Sequence, residues 1–335
     1  MWLVSYLLLT QAVAVTYSIS DIVENAHAAD KRIGEIVRRT ALRHSPVFSD
    51  ATGADVYLKL ENQQLTGSFK LRGATNRLMT LSAEQRQQGC VAASSGNHGA
   101  AVACAMQKLA TSGVIFVPEQ TSTAKVDAIR RYGGDVQFFG TDGLDTEQHA
   151  RAFAEHNEMY YLSPYNDREV IAGQATCGIE ILQQLPDLDV VFIAVGGGGL
   201  ISGVGSVLKA HNPEIRIYGC QPEASAVMAK SVEAGRILDL ASGPTLSDGT
   251  AGGIEADAIT FDLCRQLVDE FVLVSEDQIA AAMRQYMAAF DESIEGAAGV
   301  ALAGMTARRD DVKDQKIAVI ICGGNVSQQV LDTLR

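Results

Sequence analysis

A continuous apolar run, Val190-Val191-Phe192-Ile193-Ala194-Val195, passes without a polar break into Gly196-Gly197-Gly198-Gly199 and then into Leu200-Ile201-Ser202-Gly203. Such a run reads as a strand, and its return through glycines into a helical stretch makes a strand, loop and helix unit. Four glycines ahead of a helix leave backbone N–H groups uncovered for an anion such as phosphate. The G-x-G-x-x-G nucleotide signature is not spelled here, because Ile201 or Ser202 stands where its third glycine belongs, and G-x-x-x-x-G-K-[ST] is absent. The rest of the chain alternates in the same way: helical segments at 20–42, 123–132 and 146–157, and strands at 136–139, 215–219 and 316–321. The pattern predicts an α/β fold with open, mostly parallel twisted sheets flanked by helices, without internal repeats.

A second junction carries more chemistry. Strand-like alternation at Val56-Tyr57-Leu58-Lys59-Leu60 is followed by Gly67-Ser68-Phe69-Lys70-Leu71-Arg72-Gly73-Ala74, so a lysine stands where a strand gives way to a helix, beside one aromatic ring. Thr66 and Ser68 are the N-cap candidates. An amine condenses with an aldehyde only as the free base, and burial and a helix N-terminus both disfavour the ammonium. Lys70 is therefore suited to form an imine, although a lysine on a solvated helix face would have the same local sequence. At a third junction, Ser94-Ser95-Gly96-Asn97-His98-Gly99 follows Val91-Ala92-Ala93 and opens a small-residue helix at 100–105. Polar loops at the carboxyl ends of strands bind ligands in open α/β sheets.

In this order and spacing the motifs resemble the pyridoxal-phosphate enzymes of the tryptophan synthase β-subunit type (fold type II), most closely their serine/threonine dehydratase branch. The resemblance runs from about residue 19 to 330. Leu60-Glu61-Asn62, the Lys70 segment, Ser94 to Gly99, Ile171-Ala172-Gly173-Gln174, Gly196 to Leu200, and Cys322-Gly323-Gly324-Asn325 carry it. It implies pyridoxal 5′-phosphate as cofactor, a small amino acid as substrate, and a homodimer or homotetramer. It also implies a large cofactor-binding domain of 16–87 and 163–335, a small domain of 88–162, and a cleft between them for the cofactor.

The resemblance implies roles residue by residue. Lys70 would hold the cofactor and later remove the Cα proton, Phe69 would pack near the ring, and Asn97 would bond the ring 3′-oxygen. Ser94, Ser95, Gly96 and His98 would receive the substrate carboxylate, with His98 equally open to a structural role. Ser95 corresponds to the second acid/base of racemases in the family. Gly196, Gly197, Gly198, Gly199 and Leu200 would cradle the 5′-phosphate, and Cys322 would meet the pyridine nitrogen. A neutral thiol holds that nitrogen's proton less firmly than a carboxylate, which favours loss of a leaving group from Cβ. The expected reaction is elimination of water from an L-threonine- or L-serine-like β-hydroxy amino acid, giving a 2-oxo acid and ammonia. An amino-acid racemase is the alternative.

Some positions depart from the branch. Glu295-Gly296-Ala297-Ala298 stands where members often have Glu-Pro followed by a hydroxyl residue. Gln221 and Val227 replace the Glu and Asp of metal-dependent members, so no divalent metal is expected. Asp248-Gly249-Thr250-Ala251-Gly252-Gly253 replaces a more usual Asp/Glu-Gly-Val run. These departures suggest a specialised substrate, such as the hydroxylated diaminobutyrate of hydroxyectoine degradation.

Composition agrees with a soluble enzyme. In 335 residues, 47% apolar and 20% charged residues provide for a core in two lobes, while a net charge of −13 argues against nucleic acid or an anionic membrane as partner. The six cysteines are widely spaced and read as reduced thiols of a cytoplasmic protein. The apolar extension 1–15 lacks the basic start of a signal peptide and is too short to span a bilayer, so a packing arm is expected. Ten residues follow Asn325, and no carboxyl-terminal regulatory domain is expected.

Overall fold

A computed structural model describes residues 17–334, so the expected 1–15 arm lies outside the described residues. Ten strands occur there: β1 (Leu42–His44), β2 (Asp55–Lys59), β3 (Cys90–Ala93), β4 (Gly113–Val117), β5 (Asp135–Phe138), β6 (Tyr160–Tyr161), β7 (Val190–Ala194), β8 (Arg216–Pro222), β9 (Glu270–Val274) and β10 (Lys316–Ile320). They form one sheet of order β1-β2-β10-β7-β8-β9 and a second of order β5-β4-β3-β6. Every pairing is parallel except β1 with β2.

Topology gathers the three sequence junctions. The last strand, β10, lies between β2 and β7, with Ile320 opposite Lys59 and Val319 opposite Phe192. Its apolar residues from Ile317 to Ile320 are fully buried, as a central strand covered on both faces requires. The carboxyl ends of β2, β10 and β7 therefore sit side by side, and their loops lead to Lys70, Cys322 and the 196–199 glycines. In the smaller sheet β3 ends at Ala93 and delivers Ser94.

The helix Lys70–Thr80 joins the two sheets. It follows β2 of the larger one, yet Leu71, Ala74 and Leu78 bury themselves with Ala92, Ala101 and Ile115 in the core of the smaller one. Its other flank crosses the helix Arg168–Gln184 so closely that a Cβ on Gly173 would lie 2.6 Å from the Cα of Gly73. Glycine at both positions lets the backbones meet, which accounts for the Ile171-Ala172-Gly173-Gln174 motif.

Beside that crossing lies a dry ionic cluster. Arg72 donates to Glu61 through Nε (2.8 Å) and Nη2 (2.8 Å) and to Glu180 through Nη1 (2.7 Å) and Nη2 (3.0 Å). Lys59 Nζ donates to Glu180 at 2.6 Å. All four side chains are buried. Burial pushes the Glu61 carboxyl up, but the charge and hydrogen bonds of Arg72, with Lys59 and the Thr40 hydroxyl, together outweigh it and hold Glu61 below the usual range.

The first helix ends earlier than its charge pattern suggests. It spans Ile19–Ile33, begins with a Ser18 capping box, and ends at Gly34. Beyond it, tertiary hydrogen bonds claim the backbone: Gln64 bonds both the N–H (2.9 Å) and the carbonyl (2.8 Å) of Arg38, and Glu180 accepts from Thr40 N–H (3.1 Å). The freed chain then forms edge strand β1. The helix expected at 146–157 instead begins at Gly143, because Asp142 caps it by accepting from Leu144 and Asp145 N–H.

Candidate active site

A cleft of about 710 Å³ lies at the strand ends, lined by Lys70, the 94–98 loop, the 196–200 loop, Glu295 and Cys322. The local sequence explains Lys70 only in part. It is the first residue of its helix, with Phe69 at the N-cap, and no side chain caps the helix. The expected caps are overturned: the Thr66 and Ser68 hydroxyls are buried without a hydrogen-bond partner. The segment after β10 takes their place, since Phe69 N–H donates to the Cys322 carbonyl (3.1 Å) and Ser68 bridges Gly323.

The Lys70 amine donates to the Pro164 carbonyl at 2.9 Å, and the Phe69 ring centre lies 5.3 Å away. Burial lowers its pKa to about 8, opposed by Cys322 and Glu295. Facing it, Cys322 is 3% exposed, and burial together with Glu295 pushes its thiol well up. Glu295 is itself buried, and dehydration brings its carboxyl to about 7. Its oxygens accept from Asn97 Nδ2 at 3.0 and 2.8 Å, while Asn97 Oδ1 accepts from Asn325 Nδ2 at 2.7 Å.

Two helix N-termini open onto the same space. Gly96 is the N-cap of the helix Asn97–Leu109, so the N–H groups of Asn97, His98 and Gly99 have no acceptor within the helix. Ser94 Oγ accepts from Gly96 N–H (3.2 Å), folding the loop, and Ser95 lines the cleft. His98 is buried, with Nε2 donating to the Leu162 carbonyl at 2.9 Å. Burial first, and Lys70 second, hold its pKa near 3, so the ring is neutral and ties the helix to the end of β6.

The second N-terminus belongs to the helix Gly199–His211, entered through Gly198 at φ +86°. A Cβ on Gly197 would lie 2.4 Å from the Tyr165 ring, and one on Gly199 3.0 Å from the Tyr165 Cβ. Thr260 Oγ1 donates to the Gly197 carbonyl at 2.6 Å, fixing the turn. Glycine is needed here for close approach as much as for flexibility, and the loop forms a cradle with N–H groups at a helix start. Together with an amine on the cleft wall, this donor set fits a phosphate-bearing aldehyde cofactor.

The structure thus brings together Phe69, Lys70, Ser94, Ser95, Gly96, Asn97, His98, the four glycines with Leu200, and Cys322. Sequence reading overlooked Tyr165, whose ring backs the glycine loop and whose hydroxyl accepts from Glu255 N–H (2.8 Å), and gave Glu295 no role. Tyr165 stands in no motif of its own, whereas Glu295 opens the Glu295-Gly296-Ala297-Ala298 run, whose match to the branch could have marked it. Gly296 has a physical reason: a Cβ there would lie 2.0 Å from the Leu246 carbonyl oxygen, leaving no room for proline. Gln221 bonds the Val195 carbonyl (3.0 Å) and Ala229 N–H (2.8 Å), and Val227 is core.

Comparison with known proteins agrees with this geometry. Residues 33–323 match the family described as "Pyridoxal-phosphate dependent enzyme". The chain is 40% identical over 311 residues to an L-threonine ammonia-lyase of Thermotoga maritima, covering 93% of this chain and 77% of that protein. It is 35% identical over 316 residues to the catabolic L-threonine dehydratase of Escherichia coli K12, covering 93% and 95%. Among solved structures, threonine deaminase isoform 2 from Solanum lycopersicum superposes with a TM-score of 0.91 at 34% identity, covering 94% of this chain and 87% of that one. Maize serine racemase gives 0.88 at 31%, covering 93% and 95%. With a lysine, a glycine cradle and a polar helix start meeting in one cleft, and with this match along nearly its whole length, the chain belongs to the pyridoxal-phosphate-dependent enzyme family.

Proposed function

We propose that the protein is an ammonia-lyase that removes water from a β-hydroxy amino acid of the L-threonine or L-serine kind, the dehydrated product then taking up water as it hydrolyses to a 2-oxo acid and ammonia. The observation that carries this reading is the convergence of Lys70, two helix N-termini and a neutral thiol on one cleft. Pyridoxal phosphate, when bound, supplies an aldehyde for amine exchange and an electron sink for the charge left at Cα. Lys70 anchors it and then takes the Cα proton on Nζ, a task suited to an amine whose ammonium form is disfavoured by burial. Backbone N–H groups at 97–99 and the Ser94 and Ser95 hydroxyls hold the substrate carboxylate, and those of the 196–200 loop hold the phosphate. Asn97 would meet the ring oxygen, Phe69 would pack beside the ring, and Cys322 would set an uncharged thiol against the ring nitrogen. His98, neutral and donating its Nε2–H to Leu162, orients the carboxylate loop without exchanging a proton with the substrate.

A second reading concerns the substrate's length. A Cβ added at Gly252 or Gly253 meets nothing within 4 Å, and the rim carboxylate Asp248 is 70% exposed and paired with Lys125 at 3.1 Å. Space there favours a longer β-hydroxy amino acid, such as a hydroxylated diaminobutyrate, whose basic end would compete with Lys125 for Asp248. We assign 16–87 and 163–335 to the large domain and 88–162 to the small one, the latter containing all four strands of the second sheet. We further propose a cytoplasmic homodimer or homotetramer, a reading supported for compartment by six free, buried cysteines, and tested for assembly by sedimentation. No helix among the described residues is long and apolar enough to cross a membrane.

The test is ammonia and 2-oxo acid release by cofactor-loaded protein from L-threonine, L-serine, threo-3-hydroxyaspartate and hydroxylated diaminobutyrate. Stoichiometric release from threonine or serine is expected. Release only from the diaminobutyrate would establish the second reading, and inversion at Cα with the amine retained would replace the lyase with a racemase in which Ser95 is the second proton carrier.

A further inference from the structure

Glu295 is a carboxylate that the proposed chemistry leaves unused, although it lines the cleft and is 6% exposed. It contacts two groups given separate tasks. Its oxygens receive both bonds from Asn97 Nδ2, and Oε1 lies 3.8 Å from Cys322 Sγ, in line to accept the thiol proton. Backbone geometry is arranged around it: its N–H donates to the Gly323 carbonyl (3.2 Å), and a Cβ on Gly323 would lie 2.4 Å from Oε1. Asn97, Cys322, Lys70 and Asp248 are the polar and charged side chains that act on it. Burying a carboxylate is unfavourable unless donors compensate it, so a carboxylate built into the cleft wall with its own donors calls for a task.

We propose that Glu295 is a positioning residue that sets two cleft groups at once. By accepting from Nδ2 it turns the Asn97 amide so that Oδ1 faces Asn325, and by accepting from Sγ it keeps Cys322 protonated. This rests on the reading of Asn97 and Cys322 as the groups that meet the cofactor ring. The chemistry is general: a negative charge near a thiol opposes its ionisation, and its loss makes the thiolate, hence the nucleophile, more abundant.

The experiment uses the apoprotein, so that it does not depend on substrate or turnover. Alkylation of Cys322 by iodoacetamide is followed by mass spectrometry of its peptide, which separates it from the five other cysteines. Glu295→Gln keeps size and one acceptor but removes the charge, and should raise the rate at fixed pH on the order of tenfold. Glu295→Asp keeps the charge one methylene away and should fall between the two; it also serves if the glutamine variant does not fold, as judged by circular dichroism. Reloading with pyridoxal phosphate should shift the visible absorption maximum in Glu295→Gln, because one uncharged acceptor then holds Asn97 in place of two carboxylate oxygens. Wild-type alkylation rates in both variants, or an unshifted maximum in the glutamine variant, would overturn the proposal even if ammonia release had already established the lyase.

Discussion

Lys70 and Arg72 stand two residues apart in one helix turn, and their surroundings treat buried charge in opposite ways. Arg72 is 1% exposed, yet two carboxylates and Lys59 complete a cluster of two positive and two negative charges with ion-pair distances of 2.6–2.8 Å. Burial alone would drive its guanidinium toward neutrality; Glu61 outweighs that, and Arg72 is held fully charged. Lys70 donates to one carbonyl, and its pKa falls to about 8. Desolvation of an ion is unfavourable by several kcal/mol, so full pairing makes the first site inert while partial pairing keeps the second ready to change its proton. The same contrast separates Glu61, held low by Arg72, from Glu295, raised to about 7.

The comparison breaks most visibly at the cleft. Lys70→Ala should lower ammonia release about 10³-fold or more and abolish the visible absorbance of cofactor-loaded protein; a coloured, active variant would remove Lys70 from its role. Next comes stability at the closed cluster. Arg72→Met leaves Glu61 and Glu180 with only Lys59, and urea unfolding should show a loss of about 3–5 kcal/mol. A loss below about 1 kcal/mol would mean that the cluster is wet or loosely made.

The opposite sign is expected when the open site loses its charge. A base lowered from 10.5 to about 8 makes the folded state release a proton that the unfolded state keeps, so the contribution of Lys70 itself, read as the difference between wild-type and Lys70→Met apoprotein, should grow more favourable as pH rises from about 8 to 10.5. Below about pH 8 the buried ammonium weakens folding by about 3 kcal/mol, and Lys70→Met should recover part of that at pH 7, an advantage that shrinks toward pH 10.5. A variant less stable than wild type at pH 7 would mean that Lys70 is as well compensated as Arg72. The smallest effect belongs to Cys322→Ser, where one neutral donor replaces another. Its kcat should stay within about tenfold of wild type, and a larger fall would show that the thiol does more than donate a hydrogen bond.

Much of this was legible in the chain because the signals are local. An apolar run such as 190–195 defines its own strand, four successive glycines define a turn that admits an anion, and Ser94 to Gly99 defines a polar helix start. Legibility failed where a backbone group found a distant partner. Thr66 and Ser68 have the right chemistry for caps, but Phe69 N–H is drawn to Cys322, more than 250 residues away. The helix expected to reach 42 stops at Ile33 because Gln64 and Glu180 bond the backbone beyond it.

By itself, then, the sequence determined the α/β class, the three strand-to-helix junctions and the residue types placed in them, since each depends on neighbours within a few positions. Tertiary structure alone decided that β10 lies between β2 and β7, which carries Cys322 and Asn325 to Lys70 and sets Glu295 against Asn97 and Tyr165 against the glycine loop. It also decided which charges are paired. Whether a lysine is an inert member of a salt-bridge cluster or a proton acceptor depends on the water it loses and the counter-charges it meets, and those come from segments far apart in the chain.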